Sequence, residues 1–229
     1  MIEARWRCGI VVPWMNRAIE DELPLLISGS DVALHWSRVL PARLPADRND
    51  ESYLPSLLED LPTAMARLAP SDLKEVLLGC TSATISPVVT VGGRSVVTAF
   101  HCLSLALDSR PTLLCTPYSE ATTTGIADAL RRQEHAIEHV LSLKDDREFR
   151  DLPSTEIAAQ IARYWRPGIE QVAISCTALY TADVPAILQS CYGIQARVIT
   201  SITAMANFIR ARRALSSSTN TSTIQDSSS

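Results

Sequence analysis

Two cysteines in this 229-residue chain have similar sequence surroundings: each ends a short apolar run and leads into small hydroxyl residues. Cys80 lies in the segment LLGCTSAT (77–84), and Cys176 lies in the segment VAISCTAL (172–179). A thiol at the carboxyl end of a strand, where a helix begins, lies beside exposed N–H groups and the positive end of the helix dipole. This setting lowers the thiol pKa and makes the group a nucleophile or base. We therefore expect an active site between two similar lobes; the alternative is two small buried side chains at strand ends, as free cysteines often are.

Composition and charge argue against several other classes of function. A net charge of −4 without a basic stripe argues against a nucleic-acid partner. The six cysteines lack Cys-x-x-Cys spacing and the chain has only four histidines, so no metal site is expected. No apolar stretch approaches the roughly 20 residues of a membrane span, and the N-terminus has no signal-peptide core. We therefore expect a cytoplasmic protein with reduced thiols and no membrane partner.

Apolar periodicity predicts strands that alternate with helices, the pattern of a parallel sheet with right-handed crossovers. In the first half of the chain, Pro62 is expected to kink or divide a helix. The predicted strands there are 7–13, 31–39 and 73–78, and the predicted helices are 17–26, 51–68 and, after a turn at Gly92-Gly93, 96–107.

The order strand, helix, strand, helix, strand, cysteine restarts in the second half of the chain. From Ser216 onward the chain is rich in Ser and Thr, which predicts a disordered tail, 216–229. The predicted strands of this half are 112–116, 139–143, 171–175 and 196–199, and the predicted helices are 119–133, 154–165, 184–191 and 203–215.

Several short motifs, in one order and spacing, resemble those of the aspartate/glutamate racemase superfamily. The similarity covers about residues 5–213 and is strongest to the branch of maleate cis–trans isomerases and arylmalonate decarboxylases. The motifs are the strand Gly9-Ile10-Val11-Val12-Pro13 with Asn16 and Glu20 after it, Gly79-Cys80-Thr81-Ser82, Thr116-Pro117-Tyr118, Ser175-Cys176-Thr177-Ala178 and Thr200-Ser201.

The resemblance implies an α/β fold of two pseudo-symmetric Rossmann-like lobes, each a parallel sheet flanked by helices. The active site is then in the cleft between the lobes, and no cofactor is needed. Ligand binding outside the carboxyl ends of parallel strands agrees with this placement. The expected N-terminal lobe is 1–98, completed by the C-terminal helix 203–215, and the second lobe is 99–202.

The resemblance also implies that Cys80 and Cys176 are catalytic. In such racemases one cysteine removes an α-proton and the other protonates the opposite face. In the maleate isomerases the first cysteine instead adds to the carbon–carbon double bond. The decarboxylases have glycine at the first position, so Cys80 argues against that activity here.

Six residues are predicted to bind the substrate. Asn16 and Tyr118 match positions that hydrogen-bond a carboxylate in the isomerase branch, and they donate without adding a charge beside the thiols. Hydroxyl and N–H groups near the cysteines can serve a carboxylate or enediolate oxygen. The structural alternatives are a loop or helix-cap role for Asn16, a core role for Tyr118 and helix capping for the hydroxyl residues. The predicted set is Pro13, Asn16, Thr81, Ser82, Tyr118 and Thr177.

Three positions depart from the isomerase pattern. Thr123 and Ile202 stand where that pattern has asparagines, and the segment 98–101 lacks a second hydroxyl residue. These changes predict a less polar pocket, and His101 within that segment is read as a packed or surface side chain rather than as a base.

The resulting prediction is a cofactor-independent isomerase of a small (di)carboxylic acid, with Cys80 as the nucleophile and Cys176 as the acid. One alternative is an amino-acid racemase of the Asp/Glu type that uses both cysteines as bases. Another is a non-catalytic protein that binds carboxylates. The expected partner is the small carboxylate substrate, and a homo-oligomer is left open.

Overall fold

A computed structural model of the protein describes residues 6–45, 51–143 and 152–222. The first lobe is a mixed five-stranded sheet with flanking helices, in the strand order β2-β1-β3-β5-β4. Its elements are β1 (Trp6–Pro13), α1 (Ala18–Leu26), β2 (Val32–Val39), α2 (Leu61–Leu68), β3 (Glu75–Leu78), β4 (Val88–Val91), β5 (Arg94–Thr98) and α3 (Ala99–Ala106), with short 3₁₀ helices at Pro55–Leu58 and Ala69–Ser71.

The second lobe repeats this plan with four parallel strands in the order β7-β6-β8-β9. Its elements are β6 (Thr112–Thr116), α4 (Glu120–Arg132), β7 (Ile137–Ser142), α5 (Ser154–Tyr164), β8 (Gln171–Ile174), α6 (Val184–Tyr192), β9 (Arg197–Thr200) and α7 (Ser201–Ser222). In both lobes the first strand pairs with the second on one side and with the third, cysteine-bearing strand on the other. The predicted α/β fold with two lobes is confirmed.

The central strands are buried on both faces because helices cover each side of a parallel sheet. Cys8, Ile10, Val11 and Val12 of β1 have no exposed surface, and all residues of β8 are buried. One hydrophobic core runs through both lobes, where α7 packs on α1 and α3. This shared core holds the two sheets in a defined relation.

The chain from Val88 to Thr98 differs from its predicted structure. It forms the antiparallel hairpin β4–β5, so residues 96–98 are strand and the helix starts only at Ala99. Gly92 and Gly93 have φ values of 55° and 79°, and glycine readily adopts this left-handed conformation in a two-residue hairpin turn. The β-branched residues beside the turn favour a strand.

Two other element boundaries also depend on local chemistry. The predicted helix 51–68 is divided, and Pro62 lies in the first turn of α2, where its missing N–H costs nothing. The last helix continues to Ser222, so the predicted disorder of 216–229 is wrong for its first residues; 223–229 lie outside the described part. The hydroxyls of Ser216 and Ser217 donate to the carbonyls of Arg212 and Arg213, one turn earlier, so these polar side chains are satisfied within the helix.

Within the ranges that the structure describes, no helix has both the length and the apolar composition needed to cross a membrane.

Candidate active site

The two cysteine-bearing loops come from different sheets and contact each other directly. Cys80 lies two residues after β3, and Cys176 lies two residues after β8. The Thr177 hydroxyl donates to the Gly79 carbonyl at 2.8 Å, which joins the two loops across the lobes. Gly79 also lets this loop pack on α1, because a Cβ there would lie 2.8 Å from the end of the Ile19 side chain. The sequence prediction that both thiols lie at the carboxyl ends of strands, in neighbouring loops, agrees with this geometry.

Neither cysteine starts a helix, so the predicted helix-dipole effect is wrong. Residues 79–87 connect β3 to the edge strand β4, and the first helix after Cys176 begins only at Val184. Thr81, Ser82 and Thr177 are therefore not helix N-caps. The positive partial charges near the sulfurs come from loop amides instead.

Loop N–H groups point at both sulfurs. The Ala178 N–H donates to Cys176 Sγ at 3.4 Å. The N–H groups of Ser82 and Ala83 hydrogen-bond Cys80, and the Ser82 hydroxyl lies 3.7 Å from its sulfur. Each of these bonds lowers the thiol pKa because it stabilises the thiolate.

Burial outweighs these hydrogen bonds, which corrects the predicted low pKa of the thiols. Cys80 is 5% exposed and Cys176 is 2% exposed. Burial raises the pKa of Cys80, and it raises the pKa of Cys176 to about 11. Both groups are therefore neutral thiols at pH 7, and all six cysteines are free.

Tyr118, which follows β6, joins the two loops. Its hydroxyl hydrogen-bonds the Cys176 sulfur and lies 3.2 Å from Thr81 Oγ1. Burial, followed by the nearby charges of the two cysteines when ionised, raises the pKa of Tyr118 well above its ordinary value. The phenol is therefore a neutral donor between the two loops, while its ring packs in the hydrophobic core.

Asn16 is buried between α1 and the loop that follows β8. Its Nδ2 donates to Thr177 Oγ1 at 2.9 Å, and its Oδ1 accepts the Ile19 N–H at 3.4 Å. The amide oxygen of Asn16 thus caps the start of α1. Its amide nitrogen carries two protons, and the bond to Thr177 uses one of them, so the capping role leaves a donor for the site.

Arg38 is a residue that sequence reasoning did not single out. Its guanidinium donates to the carbonyls of Pro13, Trp14 and Asn16 at 2.8–3.3 Å and pairs with Glu20. It therefore holds the loop that carries Asn16, and it also fixes half-buried Pro13 at the end of β1. A sequence signal existed, because a lone arginine near the end of a strand in an apolar sheet needs carbonyl or carboxylate partners.

The positions that depart from the isomerase pattern are buried. The Thr123 hydroxyl lies 3.4 Å from the Tyr118 carbonyl and also contacts Thr116 Oγ1. Ile202 is fully buried in the first turn of α7. His101 is half-buried on α3, where burial lowers its pKa. None of the three is hydrogen-bonded to either cysteine.

Across the described ranges, no group of three or more His, Cys, Asp or Glu side chains is arranged to hold a metal ion. The donors that converge near the sulfurs are hydroxyl, amide and phenol groups. These groups suit an anion or a developing oxyanion.

No protein-family profile and no curated protein matches this sequence. Solved structures do match, across most of the chain. Maleate cis–trans isomerase from Nocardia farcinica, bound to Tris, has 20% identity and a TM-score of 0.72, with 90% of this chain and 92% of that chain covered. Another structure of that enzyme is a cysteine-to-serine mutant with a covalently bound succinylcysteine intermediate.

Two further proteins are similar to a comparable degree. A mutant of maleate isomerase from Pseudomonas putida, with maleate, has 16% identity and a TM-score of 0.70 over 88% of this chain and 89% of that one. A liganded double mutant of arylmalonate decarboxylase has 18% identity and a TM-score of 0.69 over 91% and 92%. The chain therefore has the fold that maleate isomerases share with arylmalonate decarboxylase.

Proposed function

We propose that the protein is a cofactor-independent isomerase of a small carboxylic acid, and that it acts as a cis–trans isomerase through Cys80 and Cys176. The observation that carries this proposal is the pair of buried thiols on adjoining loops of two lobes, with the Tyr118 hydroxyl hydrogen-bonded to one of them. Two buried thiols with convergent neutral donors suit addition to, and protonation of, an activated double bond. The fold of the similar isomerases supports the same reading.

In the proposed reaction, Cys80 first loses its thiol proton to solvent, its thiolate then adds to one carbon of the double bond, and Cys176 gives its proton to the neighbouring carbon. The former double bond is then a single bond, and rotation about it interchanges the cis and trans arrangements. The Cys176 thiolate removes a proton from the carbon it protonated, and the carbon–sulfur bond breaks, which restores both cysteines. The succinylcysteine intermediate in the Nocardia mutant is the adduct that this scheme requires when the substrate is maleate.

Both thiols have one hydroxyl and two loop amides as partners, so we assign their roles from the resemblance, in which the first cysteine of the isomerases adds to the double bond. Cys80 has the Ser82 hydroxyl and two loop amides to stabilise its thiolate. Cys176, with a pKa of about 11, keeps its proton near neutral pH and can act as the acid. We assign substrate carboxylate binding to Asn16, Thr81, Ser82, Tyr118 and Thr177, with Pro13 bordering the pocket.

The direct test is conversion of maleate to fumarate by the purified protein, followed by proton NMR. Cys191 lies exposed on α6, so Cys191→Ser is the matched control for Cys80→Ser. We expect the control to keep full turnover and the Cys80 variant to lose it. Retained turnover in Cys80→Ser contradicts the covalent scheme.

A two-cysteine racemase is the second candidate, because the two thiols occupy equivalent positions in the two lobes and both accept loop N–H bonds. Deuterium exchange at the α-carbon of an amino acid, without action on maleate, selects this function. Inactivity on diacids and amino acids, with carboxylate-dependent stabilisation of the fold, instead selects a binding protein.

A further inference from the structure

Glu22 is a carboxylate that the proposed reaction does not use. It lies on α1 and is only 7% exposed, which is rare for an acidic side chain without a partner of opposite charge. Burial raises the pKa of Glu22, although hydrogen bonds from the other lobe lower it. The hydrogen bonds that Glu22 accepts therefore stabilise its carboxylate in this buried position.

Those partners belong to the segment 176–183, which we call the Cys176 loop. Glu22 Oε1 accepts the N–H groups of Thr181 and Ala182 at 2.7 and 2.9 Å. Glu22 Oε2 lies 3.4 Å from the Thr181 hydroxyl, its donor. Two loop amides of the second lobe are therefore satisfied by one side chain of the first lobe. Without that acceptor the amide of buried Thr181 is unpaired, which is costly, while the amide of exposed Ala182 turns to water.

The other end of the Cys176 loop is also attached to the first lobe. Thr177 accepts from Asn16 and donates to the Gly79 carbonyl. The amide of Ala178, between the two attachments, donates to Cys176 Sγ. The orientation of the amides around the sulfur therefore depends on anchors at both ends of the loop.

An exposed contact nearby offers a comparison. The Tyr180 hydroxyl donates to Asp21 at 2.6 Å and also links α1 to the Cys176 loop. Water competes for these groups at the surface, whereas no such competition exists at the buried Glu22. The two neighbouring acids on α1 thus make the same kind of link in different surroundings.

We propose that Glu22 is a positioning residue: as the acceptor for the Thr181 and Ala182 amides, it holds the Cys176 loop so that Cys176 can transfer its proton. This inference rests on the proposed function for its catalytic consequence. Oε1 can accept both amides whether or not Oε2 carries a proton. A glutamine therefore keeps the essential acceptor, while a leucine of similar size removes it.

The test compares Glu22→Gln, Glu22→Leu and Tyr180→Phe with the intact protein. We expect Glu22→Leu to lower kcat by about 100-fold, the scale of a misplaced catalytic group, with KM changed less than about threefold. Glu22→Gln and Tyr180→Phe should stay within about threefold of the parent in both constants, because each keeps the buried acceptor. The proposal is overturned if Glu22→Gln or Tyr180→Phe lowers kcat as much as Glu22→Leu does.

Two readouts do not require turnover. Hydrogen exchange should show the Thr181 and Ala182 amides protected in the parent and in Glu22→Gln, but not in Glu22→Leu. Iodoacetamide should modify Cys176 about tenfold faster in Glu22→Leu. Loss of burial lowers the pKa of this thiol more than loss of the amide bonds raises it. Buried Cys115 serves as the internal reference. If Glu22→Leu does not fold, Glu22→Ser, which admits water to the amides, takes its place.

These readouts separate the two proposals. If amide protection and Cys176 alkylation change with the acceptor at position 22, but the protein is inactive on maleate and on its half-ester and half-amide, the positioning role is supported and the isomerase is rejected. Turnover of maleate with unchanged protection in Glu22→Leu supports the isomerase and overturns the role of Glu22.

Discussion

The loops that follow β3 and β8 carry equivalent cysteines but are held in different ways. The Cys80 sulfur receives its hydrogen bonds from residues two and three positions further along its own loop. The Cys176 sulfur also has local amide partners, and its loop is attached to the other lobe near both ends, through Thr177 and Glu22. The Cys80 loop contacts the other lobe through the Gly79 carbonyl and the Thr81 hydroxyl. The repeated lobes therefore hold their cysteine loops differently, and the predictions below test whether the two thiols also have the different roles that we propose.

The largest effect should come from the cysteines themselves. We expect Cys80→Ser and Cys176→Ser each to lower kcat by about 10³-fold or more, because a serine hydroxyl is a far weaker nucleophile and acid than a thiol at these positions. The comparison predicts a further difference: Cys176→Ser still forms a covalent adduct with maleate at Cys80, detected by intact-protein mass, and Cys80→Ser forms none. Equal adduct formation in both variants would mean that the loops are interchangeable.

Loss of the tyrosine that joins the loops should be the next largest effect. Tyr118→Phe removes the hydroxyl that bonds Cys176 and Thr81 but keeps the buried ring. We expect kcat/KM to fall by about 10²–10³-fold, the range for one lost oxyanion donor. The melting temperature should stay within a few degrees of the parent's. Phe100 is buried elsewhere in the core, so a conservative Phe100→Leu change tests whether the loss comes from packing alone. A comparable fall in that variant would contradict the assignment.

The pH dependence of kcat/KM should separate the two thiols. Burial raises the pKa of Cys80, so its thiolate fraction, and with it the rate, should rise with pH above neutrality. The rate should fall above about pH 11, where Cys176 loses its proton. Ser82→Ala removes a bond that lowers the pKa of Cys80, so the rising limb should move to higher pH while the falling limb stays in place. A shift of the falling limb alone would reverse the assigned roles.

The smallest effect concerns substrate preference. The Thr123 hydroxyl donates to the Tyr118 carbonyl and contacts the Thr116 hydroxyl, and threonine has no amide donor such as the isomerase pattern has at this position. We expect a half-ester or half-amide to be preferred over maleate, and Thr123→Asn to move kcat/KM towards maleate by about tenfold, which corresponds to one hydrogen bond of 1–3 kcal/mol. Thr124→Asn, on the exposed side of α4, should change nothing. A wild-type preference for maleate of tenfold or more shows that the departures are neutral.

Much of the fold was accessible from sequence because it depends on local patterns. Continuous apolar runs such as 8–12 predict buried parallel strands, and the repeated order of elements predicts two lobes. The division of the predicted helix 51–68 near Pro62 could be foreseen because proline has no N–H to donate inside a helix. The β4–β5 hairpin was missed although its Gly92-Gly93 turn and β-branched flanks are local signals, because the apolar residues 96–98 also continue the helical pattern of the next segment.

The sequence by itself determined that two cysteines lie at the carboxyl ends of parallel strands, each followed by hydroxyl groups. Only the tertiary structure decided how those thiols behave. Desolvation depends on how many atoms from both lobes cover the sulfur, and here it raises the thiol pKa values against the effect of the loop amides. The attachment of the Cys176 loop to Asn16 and Glu22 joins residues about 160 positions apart, and no local pattern encodes it.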